Sequence, residues 1–107
     1  MKLTEIKSVR DQDLLSGLIR IHVLFHACKE PIFGLGMIEE LQRHGYKLSA
    51  GTLYPMLHGL ERRGLLRSRK IQRGRRGRRV YRATAAGRRA LAMASDKVKI
   101  LLGELLE

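Results

Sequence analysis

A chain of 107 residues, 44% of them apolar, has material for one hydrophobic core and little apolar surface to spare. Its formal net charge of +12 and sequence pI near 10.9 exceed what solubility requires and point to a polyanionic partner. The lone cysteine, Cys28, excludes an intrachain disulfide, and no segment reaches the roughly 18 apolar residues of a membrane span, so the expectation is a cytoplasmic protein with no membrane partner.

Leu14, Leu18, Ile21 and Phe25 recur at helical spacing, with Leu15, Ile19 and Leu24 widening the stripe. They predict a first helix over about residues 11–28. "KEPIFG" (29–34) breaks it, because Pro31 and Gly34 punctuate the chain and the residue before a proline is biased to extended geometry. A second helix is expected over about 35–44 with Met37, Ile38 and Leu41 inward and Gly45 as its left-handed stop. Only "YKL" separates that stop from Ser49, a favourable N-cap residue. Two helices joined by so short a turn form a helix-turn-helix. In the third helix, about 49–63, Leu53, Met56, Leu57 and Leu60 share one face and Gly64 ends it. The opposite face carries Gly51, Pro55, His58, Gly59 and Arg62, flanked by Thr52 and Tyr54. A proline costs little in a first helical turn and about 3 kcal/mol in a helix interior, so its cost here turns on whether the helix begins near Ala50 or near Thr52.

Beyond Gly64, "LLRSRKI" and "RRVYRAT" are strand-like runs flanking the glycine-bearing "QRGRRG", the pattern of a hairpin with a basic tip over about 65–84. No Asp or Glu occurs between Arg62 and Arg89, and the interleaved Leu65, Leu66, Ile71, Val80 and Tyr81 mark this cationic block as folded. Thr84 caps a final helix, in which Leu91, Ala94, Val98, Leu101 and Leu105 follow a heptad seam widened by Leu102 and Leu106. That seam is covered by a second copy of the chain, by the first helix of its own chain, or by both. The fold class is therefore mainly α with a small β-hairpin: a winged helix-turn-helix over 1–84 and a C-terminal dimerisation helix over 85–107.

A recognition helix meets the major groove mainly with its N-terminal residues, whose amides and dipole also favour phosphate oxygens. Ser49, Gly51, Thr52, Tyr54, Pro55 and His58 occupy that end, and Arg62 follows on the same outward face. In the wing, Lys70, Arg73, Arg75, Arg76, Arg78 and Arg79 are the candidates for phosphate or a minor groove. The expected partner is double-stranded DNA. An enzyme is not expected, for there is no phosphate-binding glycine loop or nucleophile elbow, and Cys28 has no motif around it. No cofactor is assigned. His22 and His26, four apart with Cys28 following, have a spacing that can serve a metal ion but need further ligands. A nonspecific architectural or RNA-binding protein would use the same charge, and a metal-responsive regulator is a further alternative.

The stretch "SAGTLYPMLHGLERRGLL" from Ser49, the basic wing, and "RRVYRATAAGRRAL" from Arg78 resemble the PadR-type transcriptional regulators, over about residues 14–91. The Tyr54-Pro55 pair inside a recognition helix is the most specific part of the match. Ala50, Gly59, Phe33 and Leu35 depart from the family pattern, as does the wing, where Arg75, Arg76, Gly77, Arg78, Arg79, Val80 and Tyr81 lack the usual proline. The resemblance implies a homodimeric DNA-binding repressor of the compact type, joined through the terminal helices, with release from DNA by a small effector in many members.

Overall fold

The computed structural model describes residues 9–73 and 76–107. The order is α1 (Val9–Lys29), β1 (Ile32–Phe33), α2 (Gly34–Arg43), α3 (Ala50–Arg62), β2 (Leu66–Arg73), β3 (Arg76–Ala83) and α4 (Ala85–Leu105). The fold is mainly helical with one small antiparallel sheet, as the sequence indicates.

Both helix stops are built by glycine. Gly45 and Gly64 have φ of 89° and 77°, where a side chain would be strained. After α2, Gly45 N donates to the Gln42 carbonyl and Tyr46 N to that of Leu41; after α3, Gly64 N donates to Glu61 and Leu65 N to Leu60. These paired bonds satisfy carbonyls that a helix end leaves open. They also turn the chain sharply, so α2 leads into α3 and α3 into the hairpin with almost no loop.

The sheet holds one strand that periodicity does not announce. After Pro31 the extended pair Ile32–Phe33 aligns with β3, Ile32 opposite Tyr81 and Phe33 opposite Val80, giving the order β1-β3-β2. β3 is therefore central, and Val80 and Tyr81 are both buried although adjacent in sequence. Two residues are too few for an alternating signal, and their partner lies far along the chain.

The core is formed by Leu53, Leu57 and Leu60 of α3 with Leu41, Leu66, Tyr81, and Ile19 and Val23 of α1. In α3 the buried residues are those the spacing selects, and in α2 Met37 and Leu41 are buried with Ile38 partly so. In α1 only part of the expected stripe is buried: Ile19 and Leu24, which widen it, join Val23 and Ala27 in the core, whereas Leu14, at its head, is 82% exposed and Leu18 and Phe25 are also exposed.

Thr84 caps α4, its hydroxyl accepting from Gly87 N at 3.0 Å and donating to the Gly64 carbonyl at 2.6 Å. Gly87 is buried against this turn; a Cβ there would stand 2.1 Å from the Leu65 carbonyl oxygen. The first turns of α4 thus dock on the α3–β2 corner, and Ala90 and Leu91 reach the core. Beyond them Ile100, Leu101, Leu102, Leu105 and Leu106 are exposed.

Candidate nucleic-acid interface

Ser49 stands at the N-cap of α3 in extended conformation, its hydroxyl accepting from Thr52 N. The helix begins at Ala50, so Pro55 lies inside it, in the second turn. Proline has no N–H to give the Gly51 carbonyl four residues back, and Gly51 and Pro55 are both exposed. The N-terminal end of α3 thus presents Ser49, the first-turn amides, Gly51 and Pro55 on one exposed surface. His58 and Arg62 continue it, both exposed. Thr52 is half-buried, with its hydroxyl 3.3 Å from that of Ser49.

Tyr54 occupies a different position from its neighbours. It is half-buried and packs against the core. Its ring lies over Gly34 so closely that a Cβ on that residue would meet the phenol oxygen at 2.3 Å. Gly34 is therefore the residue that lets α3 approach the start of α2. The ring also lines a cleft of about 470 Å³ with Phe33, Leu35, Gly77, Arg78 and Arg79. The aromatic body packs α3 against the start of α2 and forms one wall of the cleft beside the wing.

The wing pairs its cations across the strands. Arg67 stands opposite Arg82, Lys70 opposite Arg79, and Arg73 opposite Arg76. Like charges in directly opposed positions disfavour the hairpin, and a phosphate backbone would relieve that repulsion. Arg73 and Arg76 end their strands; Arg75 lies outside the described residues. Lys70, Arg78 and Arg79 are exposed, but two of them are already held. The Arg78 guanidinium lies over the Phe33 ring, 4.5 Å from its centroid, a cation–π contact that orients the charge without neutralising it. Arg79 donates to the Ser68 hydroxyl at 3.0 Å.

Ser68 in turn binds Glu61. One carboxylate oxygen of Glu61 accepts from Ser68 N at 2.9 Å and from its hydroxyl at 2.7 Å. These bonds, the hydroxyl's first, hold the Glu61 carboxyl below the ordinary range against the opposing effect of desolvation. This acid sits at the C-terminal end of α3 and fixes the root of the wing to it, while Arg79 extends the chain of bonds to β3. Nothing in the sequence marks Glu61 or Ser68 as site residues, because their pairing arises only once the α3–β2 turn has folded.

A third residue outside the expected set is Arg20 of α1. It lines a shallow cleft with Asp13, Ser16, Gly51, Thr52, Pro55 and Met56, which puts a cation beside the N-terminal end of α3. Nothing in α1, which reads as a core helix, marks it.

The model of the PadR-like family of transcriptional regulators matches residues 23–93. This chain belongs to the PadR-like family. The transcriptional regulator Rv3488 of Mycobacterium tuberculosis is 48% identical over 88 residues, 82% of each chain. A PadR-family regulator from Eggerthella lenta superposes with a TM-score of 0.77 at 35% identity, over 89% of this chain and 87% of the other. A PadR-like transcription factor from Bacteroides fragilis shares the fold, with a TM-score of 0.78 at 22% identity over 92% and 96% of the two chains. PadR-like proteins are regulators that bind DNA, and transcriptional regulators are in general not enzymes. Among the described residues no helix is long and apolar enough to cross a membrane.

Proposed function

We propose that this PadR-like chain is a homodimeric repressor that binds duplex DNA sequence-specifically, with the N-terminal half of α3 in the major groove and the wing on the flanking backbone. The observation that carries the reading is the exposed face of α3, from Ser49 and Gly51 through Pro55 and His58 to Arg62, bonded through Glu61 and Ser68 to a hairpin of opposed cations. Thr52 and His58 are the candidates for base edges. Lys70, Arg73, Arg75, Arg76, Arg78 and Arg79 are the candidates for phosphate, with Arg78 and Arg79 pre-oriented by Phe33 and Ser68. Tyr54 contributes by positioning α3 against α2 and the wing. The dimer is supported by the exposed apolar length of α4 from Val98 to Leu106, and a two-fold protein matches an inverted-repeat site.

The test is binding to the DNA upstream of the chain's own gene, measured against bulk DNA over a range of salt. A dimer neutralising about 6–10 phosphates gives log K falling against log salt with a slope of about −5 to −9, and a specific regulator prefers its site by at least about 10³. A slope near zero refutes the DNA reading. A steep slope with no preference, or a preference for RNA, supports instead the nonspecific architectural or RNA-binding reading that the charge alone allows.

A further inference from the structure

The first two helices bring together three of the chain's four histidines. His22 and His26 stand one turn apart on α1, and His44 is the C-cap residue of α2. One ring nitrogen from each lies within 4.8 Å of the others. Glu40, one turn before His44, has a carboxylate oxygen 3.6 Å from Nε2 of His26 and 3.6 Å from Nε2 of His44. Arg43 takes the other oxygen of the same carboxylate, so the free one faces the imidazoles. The cluster thus holds three nitrogen donors and one oxygen donor. Cys28, which follows the α1 pair in sequence, has no place in it.

We infer that His22, His26 and His44, with Glu40 as fourth ligand, form a binding site for a divalent late transition-metal ion of the Zn²⁺ class. Imidazole nitrogen with one carboxylate is a donor set that suits such ions. Metal–nitrogen bonds of about 2.0–2.1 Å in a tetrahedron put the ligand atoms about 3.4 Å apart. The three imidazole nitrogens, within 4.8 Å of one another, close to that spacing by side-chain rotation, and His44, stacked on His22, is exposed to solvent. Burial, then the nearby His44 and His26, lower the pKa of His22, and the Arg43 hydrogen bond lowers that of Glu40, each in the direction of the form that ligates.

The position gives the site a consequence. It ties α1 to the end of α2, five residues before the Ser49 cap of the recognition helix, and its ligands line a groove with Leu18, Ile21, Phe25, Leu91 and Val98 between α1 and α4. An ion that draws His44 toward α1 sets the angle of the helix-turn-helix, and its affinity is then linked to that for DNA in both directions. This linkage rests on the DNA-binding reading; the site itself does not.

The experiment is titration of the purified full chain with Co²⁺, followed by the visible bands of tetrahedral cobalt, and displacement by Zn²⁺ in a calorimeter. One ion per chain is expected. His44→Gln and His22→Gln should each weaken Zn²⁺ binding by about 100-fold or more, since even outer-shell partners are worth 10- to 100-fold, while Cys28→Ala should leave it unchanged. Far-UV circular dichroism confirms the fold of each variant, and His44→Gln, at an exposed cap, stays decisive if His22→Gln misfolds. Absence of tetrahedral bands, or unchanged Zn²⁺ affinity in folded His44→Gln, overturns the site. DNA affinity with and without Zn²⁺ tests the linkage: a shift that disappears in His44→Gln supports it, and metal binding without any shift overturns the linkage alone. A chain that binds Zn²⁺ but no DNA in either state overturns the DNA reading and leaves the site standing.

Discussion

Replacing Glu61 by alanine should loosen the wing from α3. The carboxylate accepts two bonds from Ser68, at 2.9 Å from N and 2.7 Å from Oγ. Hydrogen bonds to a charged group are worth about 1.5–3 kcal/mol, and loss of the acceptor also leaves donors to be rehydrated. Glu61 is only half-buried, so water can recover part of the loss and the lower figure applies, about 1.5 kcal/mol. In a domain of this size that lowers Tm by about 6–12 °C, measurable by urea or thermal unfolding followed by circular dichroism. Glu61→Gln keeps one acceptor oxygen and should lose less. The bonds to Ser68 depress the folded-state pKa of the carboxyl, so its stabilisation is complete above the unfolded pKa of about 4.3 and disappears as pH falls through the lower folded value. The difference between the native chain and Glu61→Gln should therefore be constant at neutral pH and shrink below about pH 4. A double-mutant cycle with Ser68→Ala isolates the pair, with a coupling of at least about 0.5 kcal/mol expected. Additive single-variant effects, or Glu61→Ala unfolding at the native midpoint, would refute the reasoning.

Gly87→Ala drives a methyl to within 2.1 Å of the Leu65 carbonyl oxygen, a backbone atom that Thr84 N also holds at 3.1 Å. The overpacking should cost about 1–3 kcal/mol in urea unfolding, and an unchanged midpoint would mean that α4 is not docked there. Leu101→Asp and Leu105→Asp alter residues 53% and 71% exposed in the single chain; light scattering should find a dimer converted to monomer with the winged domain still folded, whereas an unaltered dimer would place the interface elsewhere. Thr52→Ala or His58→Ala should change the preferred DNA sequence, each base read being worth about 1–3 kcal/mol, while Arg75→Ala with Arg76→Ala should weaken binding to all sequences alike.

Most of the frame is legible along the chain because its signals are local. Ser49 and Thr84 cap, Gly45 and Gly64 stop, and the α3 stripe of Leu53, Met56, Leu57 and Leu60 is buried as its spacing requires. The illegible features are those made by approach between distant segments. β1 exists through its partners Val80 and Tyr81, and His44 joins His22 and His26 only after α2 folds back on α1. Tyr54 belongs to the same class. Its place on the helix wheel is beside the outward face, yet Gly34 lets the ring sink toward the core. Pro55, by contrast, remains outward on a helix that begins at Ala50.

The departure in α1 has a cause that also bears on assembly. Apolar residues run almost all the way round this helix, so a stripe chosen by spacing alone can be drawn on more than one face. The winged domain claims the face of Ile19, Val23 and Ala27. Leu18, Ile21 and Phe25 are left on the side that forms a groove with Leu91 and Val98 of α4, and Leu14 projects beyond it. A helix needs only one apolar face to dock on one core, and a second, retained beside an exposed α4 seam, stabilises nothing in an isolated chain. Both faces are accounted for if α4 of a second copy closes over α1, and the two surfaces that single-chain packing leaves uncovered then become one interface.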